Sequence, residues 1–424
     1  MTTTSIDAGL SHSLTETGRG TKMGEWLRRY WWPIAVDADL KAKPTFIKIL
    51  GEELVLFRTK RGKVGLLDSR CAHRRANLCL GQSLADGVAC RYHGWVFSPE
   101  GKVLETPGEP DETFKERVQQ RSYPTQTMGG LIFAYFGKGE PPALPRFDFL
   151  DGPGVHKARF IGTSRGNWMQ INENAMDPLH LSFTHAPTWT AMSALPEMWF
   201  DETEFGVAYL SLRTTEDPEK WHLRVNNLIL PSIGLTGATS FWFPRAKGSS
   251  NPPITARFSV PMDDTSTVMF RVMYIPEEFA EFADEIDDHL EHLKWDTPWQ
   301  TERIEPYLEY NESVRTGEPV ELGYTIPEGA GHEDATVVGS MPERVDRENE
   351  NMLPVGDGGI TFMRDVIISS VEEVANGGEA KGTVPASRAQ ELFLMPTGER
   401  FLNREGVEEL RQGLRARDAL KLPG

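Results

Sequence analysis

At 424 residues, with 39% hydrophobic and 25% charged residues, the chain has the composition of an ordinary globular protein with room for two domains. Its formal charge of −17 argues against nucleic acid or an anionic membrane surface as a partner. No run reaches the ~18 apolar residues of a transmembrane helix, and Met1-Thr2-Thr3-Thr4-Ser5 lacks the basic and apolar blocks of a secretory signal. Three cysteines make no disulfide framework, so a reducing cytoplasm is the expected setting.

Residues 1–22 are polar and read as a loosely held arm. Met23 to Trp32 reads as a short amphipathic helix ended by Pro33. Short strand-like runs follow at Phe46–Leu50, Glu53–Arg58, Lys63–Asp68, Val88–Arg91, Trp95–Ser98, Lys102–Glu105 and Leu131–Phe136, separated by tight turns. That spacing predicts a small all-β domain over 23–145, closed by the stiff link Pro141-Pro142-Ala143-Leu144-Pro145. The second domain, 146–424, mixes a helix over Asn167–His185 with strands at Val207–Arg213, His222–Leu230, Thr239–Phe243, Arg257–Val260 and Val268–Tyr274. An acidic helix over Glu277–Leu293, a Gly-rich loop over Gly317–Ala335, and helices at Arg364–Val371 and Val407–Leu420 complete it. The overall class is α+β: an all-β front domain, then an antiparallel sheet covered by helices.

Two stretches carry chemistry. Cys71-Ala72-His73 and, after sixteen intervening residues, Cys90-Arg91-Tyr92-His93 together supply two thiolates and two imidazoles, while Cys79 reads as a small core residue. One tetrahedral Zn²⁺ can take all four donors. A [2Fe–2S] cluster can take both Cys on one iron and both His on the other, the Rieske arrangement. Each half mixes donor types, whereas Cys₂His₂ zinc fingers pair like with like, so the mixed spacing suits two irons shared by two loops. The second stretch runs from Glu173 to His185 and holds two histidines and two carboxylates. On a helix Asp177 and His180 share a face, so the carboxylate is placed to accept an imidazole N–H. His180 and His185 are five apart, ~140° around a helix, and joint ligation needs a local distortion such as a π-bulge. Two histidines and one further carboxylate make a non-haem Fe(II) site.

With both motifs on the page, the chain resembles the oxygenase (α) subunits of Rieske non-haem iron ring-hydroxylating oxygenases, and in layout the phthalate dioxygenase-like, α-only group. The likeness runs through Met23 to Pro33, Val64 to Asp68, both Cys/His loops, Asn167-Trp168 and Pro261 to Thr265. It implies that Cys71, His73, Cys90 and His93 hold a [2Fe–2S] cluster. His180 and His185 bind Fe(II), and Asp177 bridges to a cluster histidine of the neighbouring subunit in a homotrimer. The third iron ligand is expected in Gly359-Ile360-Thr361-Phe362-Met363-Arg364-Asp365, as Asp365 rather than Asp357, with Arg364 where the family pattern has Gln. Ala72 stands where Pro is common. The family takes electrons from a separate NAD(P)H-dependent reductase, and the chain carries no dinucleotide-binding glycine fingerprint and no second ferredoxin-type cysteine cluster of its own. It uses O₂ to hydroxylate, dihydroxylate or O-demethylate an aromatic compound; here the phthalate likeness suggests an aromatic acid. Arg224, Arg245, Arg257 and Arg271 are candidates to meet a carboxylate. The alternative is a Rieske electron carrier without oxygenase activity.

Overall fold

The computed structural model describes residues 14–185, 192–237, 249, 252–286 and 330–415. The front of the chain folds into three small antiparallel sheets. One carries Thr45–Ile49, Glu52–Arg58, Val64–Asp68 and Ser122–Tyr123; a second carries Gln82–Ser83, Val88–Ala89, Val96–Phe97 and Val103–Glu105. The third pairs Trp31–Val36 and Thr125–Met128 with Leu131–Tyr135.

The first helix is shorter than its sequence pattern suggests. It spans Lys22–Leu27, capped by the Thr21 hydroxyl, and Trp31–Val36 is a strand with Pro33 inside it. Proline removes a ladder donor, and it is tolerated here because the strand lies at the sheet edge with a register shift after Pro33. The polar arm is likewise anchored where it is described. Leu14, Thr15 and Thr17 are buried, the Asn167 amide donates to Thr15 O, and the Thr17 N–H donates to Asp264.

Behind these sheets stands an eight-stranded antiparallel sheet in the order Gly154–Ser164, Thr267–Pro276, Ile254–Pro261, Ile233–Gly237, Trp221–Ile229, Gly206–Thr214, Glu197–Glu202, with Gly398–Leu402 pairing along Trp221–Ile229. Period-two alternation assigns its faces. Leu223 and Val225 pack against Val407 and Leu410 of the Arg404–Arg415 helix. The alternate residues His222, Arg224 and Asn226 face the other way, opposite Arg213, Ser211 and Tyr209. Helices Trp168–Ala175 and Ala330–Gly339 cover that second face through Ile171, Ala335 and Val338 on Ile161 and Met269.

Front and back share one core in which Trp26 meets Trp168 and Phe133 meets Phe258. A tight turn pins them together. Leu50 and Gly51 both have positive φ, 51° and 76°, and their N–H groups donate to Pro261 O and Met262 O across to the large sheet. The glycine suits that conformation, while Leu50 is held in it by these bonds and by Arg28 on its carbonyl.

Other sequence readings shift at their edges or change class. The Gly-rich stretch becomes helix from Ala330, and its earlier part lies outside the described residues, as does Thr239–Phe243. The acidic helix starts as a 3₁₀ turn, Glu277–Phe282, and its continuation past Ile286 is also outside them. The Arg364–Val371 helix extends over Gly358–Ala375.

Candidate metal centres

The two Cys/His loops are built alike. Cys71 N–H donates to Ala76 O and Arg75 N–H back to Cys71 O, both at 2.9 Å; Cys90 N–H donates to Trp95 O at 2.8 Å and Gly94 N–H to Cys90 O at 3.0 Å. Each loop turns through a left-handed residue, Arg75 (φ 59°) or Gly94 (φ 73°). The glycine makes that conformation legible in the sequence, whereas Arg75 hides it. Buried Gln120 braces the first loop, accepting from Ala72 N–H at 2.7 Å and donating to Asp68 O and Arg70 O. Both cysteines are buried free thiols, and burial followed by the neighbouring Cys90 pushes the Cys71 thiol up to about 11. A buried thiol of that kind becomes a thiolate only with a metal to hold it. The His73 and His93 rings lie 4.7 Å apart at the surface end of the loops, and His73 stacks on Trp95. Two buried sulfurs with two outward imidazoles fit a cluster whose histidine-bound side faces out.

The second centre lies at a break in a helix. Asn167 caps Trp168–Ala175, its side chain accepting from Met169 N–H at 3.0 Å. The helix stops at Met176, Pro178 prevents its continuation, and a single turn resumes at Leu181–Thr184. The sequence reading of one continuous helix is therefore corrected. The chain solves the ~140° offset by breaking, and no π-bulge is used. Asp177 sets the break: its Oδ1 accepts from Leu179 N–H at 2.8 Å and His180 N–H at 3.2 Å. Its other oxygen lies 3.8 Å from His180 Nδ1, too long for a hydrogen bond, and that buried nitrogen has no partner.

The third donor is the Asp334 carboxylate. It stands on Ala330–Gly339, with Oδ1 3.3 Å from His180 Nε2 and 3.1 Å from His185 Nε2, and the three donors all lie within 4.8 Å of one another. Adjacent ligands ~2.1 Å from one ion and at right angles to each other stand ~3.0 Å apart, so the spacing fits a single ion. Asp365, the carboxylate chosen from sequence, is exposed on the Gly358–Ala375 helix and does not join this group; Asp357 is the N-cap of that helix, its Oδ2 accepting from Leu353 N–H. The chain has no local signal at Asp334 beyond an acidic pair, Glu333-Asp334, inside a stretch whose glycines argue for a loop. Glu333 was missed for the same reason. Its Oε2 accepts from His185 Nδ1–H at 2.5 Å, which leaves Nε2 aimed at the site.

Asn174 joins the centre, its amide 3.2 Å from Asp334 Oδ1 and 3.5 Å from His180 Nε2. Glu173 points elsewhere, into a buried cluster with Arg347 (2.9 and 3.0 Å) and Arg364 (2.6 and 2.8 Å), and Arg364 also meets Glu350. That cluster accounts for the arginine at position 364. Without a metal, burial pulls on the His185 imidazole, but the Asp334 and Glu333 carboxylates outweigh it and raise it to about 9. Asp334 is held well below the usual carboxylate range: burial opposes this, and the two histidines overcome it. Three donors converging on a space with mutual charge support suit a bound divalent cation. Asp177 is raised by burial.

Fold and sites together define a protein whose front sheets carry two Cys/His loops and whose large sheet carries a group of two histidines and one carboxylate. Comparison with known proteins fits this. Residues 30–124 match the Rieske [2Fe-2S] domain family. The chain is 37% identical over 244 residues to the phenoxybenzoate dioxygenase subunit alpha of Ectopseudomonas oleovorans, a match covering 52% of this chain and 59% of that relative. It is 28% identical over 424 residues to the 5,5'-dehydrodivanillate O-demethylase oxygenase subunit of Sphingobium sp. (strain NBRC 103272 / SYK-6), covering 96% and 91%. In fold it is similar to the NdmA QL mutant of Pseudomonas putida CBB5 solved with caffeine, with a TM-score of 0.59, 18% identity, and 84% and 94% coverage. Residues 30–124 are thus a Rieske [2Fe-2S] domain, in a chain whose relatives above are named as oxygenase subunits. No helix among the described residues is long and apolar enough to cross a membrane.

Proposed function

We propose that this chain is the terminal oxygenase of a multicomponent system, with residues 23–145 as the cluster domain and 146–424 as the catalytic domain. Cys71, His73, Cys90 and His93 would hold a [2Fe–2S] cluster, and His180, His185 and Asp334 a mononuclear Fe(II). Bound there, the cluster supplies electrons singly and the iron supplies the capacity to activate O₂. The chain's own part is orientation. Glu333 fixes the His185 tautomer, Asn174 spans His180 and Asp334, and Asp177 shapes the turn that brings the histidines together.

The observation that carries the reading is the buried three-donor group in a chain that also has the Rieske loops, because an electron carrier needs only the second. The substrate is proposed to be an aromatic acid, as the names of the two relatives suggest, and the outcome hydroxylation, dihydroxylation or O-demethylation. A separate NAD(P)H-dependent reductase supplies electrons, and the setting is the cytoplasm. We further propose a head-to-tail homotrimer in which Asp177 meets a cluster histidine of the next subunit. Asp177 keeps a fifth of its side chain exposed, and His73 is exposed, so both reach the surface.

The test is metal analysis and electron paramagnetic resonance of anaerobically prepared protein, then O₂ uptake with a reductase and a panel of aromatic acids. One cluster and one further iron per chain, with uptake matched by product, is the expected result; a chain with the cluster alone would be an electron carrier. Asp177→Asn is expected to keep both metals and lose nearly all turnover, and coupled oxygenation at the wild-type rate in that variant would remove the bridging role.

A further inference from the structure

We infer that Phe114 is a positioning residue for the cluster: acting through Trp95, it sets the plane of the His73 imidazole. This rests on the cluster reading above. A ligating imidazole is usually aligned by an acceptor on its second ring nitrogen. The His73 imidazole makes no hydrogen bond or ion pair to any described residue, and its contacts are with rings. It lies on the Trp95 indole with centroids 4.7 Å apart and planes 4° from parallel. Trp95 is 6% exposed whereas His73 is exposed, so the buried indole is the anchor and the imidazole is the ring it holds.

Trp95 is held in its turn. Phe114 meets it edge to face, with 5.8 Å between centroids and 79° between planes, and the Arg117 guanidinium lies 5.4 Å from the Phe114 ring centre. Guanidinium, phenyl, indole and imidazole thus follow one another in a row that ends on a cluster ligand. Phe114 and Arg117 share one short turn, Phe114–Arg117. Asp111 ties that turn down, accepting from Thr113 N–H at 3.0 Å, from the Thr113 hydroxyl at 2.6 Å and from Arg117. Three residues past the turn, Gln120 accepts from Ala72 N–H, next to Cys71. Residues 111–120 therefore brace both Cys/His loops, one through an amide and the other through stacked rings. Phe114 is half-buried and packs in the same apolar cluster as Cys71, Cys90 and Trp95. An edge-to-face contact fixes orientation as well as separation, which an aliphatic side chain of similar bulk does not. Leucine at position 114 fills the space but lets the indole tilt, and the imidazole tilts with it.

The experiment compares anaerobically purified holoenzyme with three variants. F114L keeps apolar bulk without a ring, F114Y keeps the ring, and E116Q alters an exposed position on the same turn. The readouts are iron content, electron paramagnetic resonance of the reduced cluster, and the rate at which a chelator bleaches the cluster's visible absorbance. F114L is expected to hold a full cluster, to show a wider spread of g values, and to bleach ~10-fold faster than wild type, the scale on which the outer partners of a ligand act. F114Y and E116Q should keep the wild-type spectrum and bleach within about twofold of it. W95F, which shortens the stack and leaves Phe114 in place, should change in the same direction as F114L and replaces it as the test if F114L does not fold. Wild-type spectrum and bleaching in F114L, or in W95F where it stands in, would overturn the assignment. So would a change of equal size in F114Y or in E116Q. Wild type without a Rieske-type spectrum defeats the cluster reading itself, whereas a wild-type cluster indifferent to F114L defeats only the role of Phe114.

Discussion

Replacing Glu333 by Gln tests whether the second centre is built as described. The side chain keeps its size, so packing around the 6%-exposed carboxylate is preserved and only the charge is lost. Glu333 Oε2 sits 2.5 Å from His185 Nδ1, and His185 is 1% exposed, so the charge is removed from a contact that water does not screen. Losing such an orienting carboxylate weakens metal binding ~10–100-fold, or about 1.4–2.8 kcal/mol. An opposing effect sets the pH at which the loss is best seen. In the metal-free protein, Asp334 first and then Glu333 outweigh burial and raise His185 to about 9, so at neutral pH the incoming ion must displace a proton. Removing Glu333 eases that competition, and the measured loss is therefore smaller at pH 7 than above pH 9. The assay is Fe(II) titration, with a competing chelator, of enzyme stripped of its mononuclear iron but with its cluster intact. Affinity within twofold of wild type at high pH would refute the reasoning, as would loss of the cluster's visible spectrum.

Asp334→Ala should abolish iron retention at the second centre and turnover with it, while Asp365→Ala, on an exposed helix position, should leave both near wild type by iron analysis and O₂ uptake. Glu173→Gln strips the shared acid from Arg347 and Arg364, which are 2% and 6% exposed at the side chain, and should cost about 3–5 kcal/mol in urea unfolding. A loss below about 1 kcal/mol would mean that the two guanidiniums find other partners. Gly359→Ala places a methyl 2.3 Å from Met176 O at the start of the histidine turn, so about 1–3 kcal/mol of stability should be lost together with iron loading. Gly358→Ala, whose nearest neighbour is Phe200 at 3.5 Å, is the control and should behave as wild type.

Local chemistry was readable from the chain. Four soft donors in C-x-H and C-x-x-H spacing announce a metal loop wherever they occur, because donor type and short-range spacing are properties of the sequence. Alternation gave most strands for the same reason, and Pro178 carried the signal that the histidine helix must break, although the spacing alone suggested a bulge. What the sequence left open lay in long-range contacts. Asp334 and Asp365 are both acids within helical stretches, and only the packing of Ala330–Gly339 on Trp168–Ala175 brings one of them to the histidines. Glu333, Arg347 and Arg364 acquire their roles from partners more than a hundred residues away. Spacing along the chain selects the donors, and tertiary packing decides which of the available carboxylates and cations they meet.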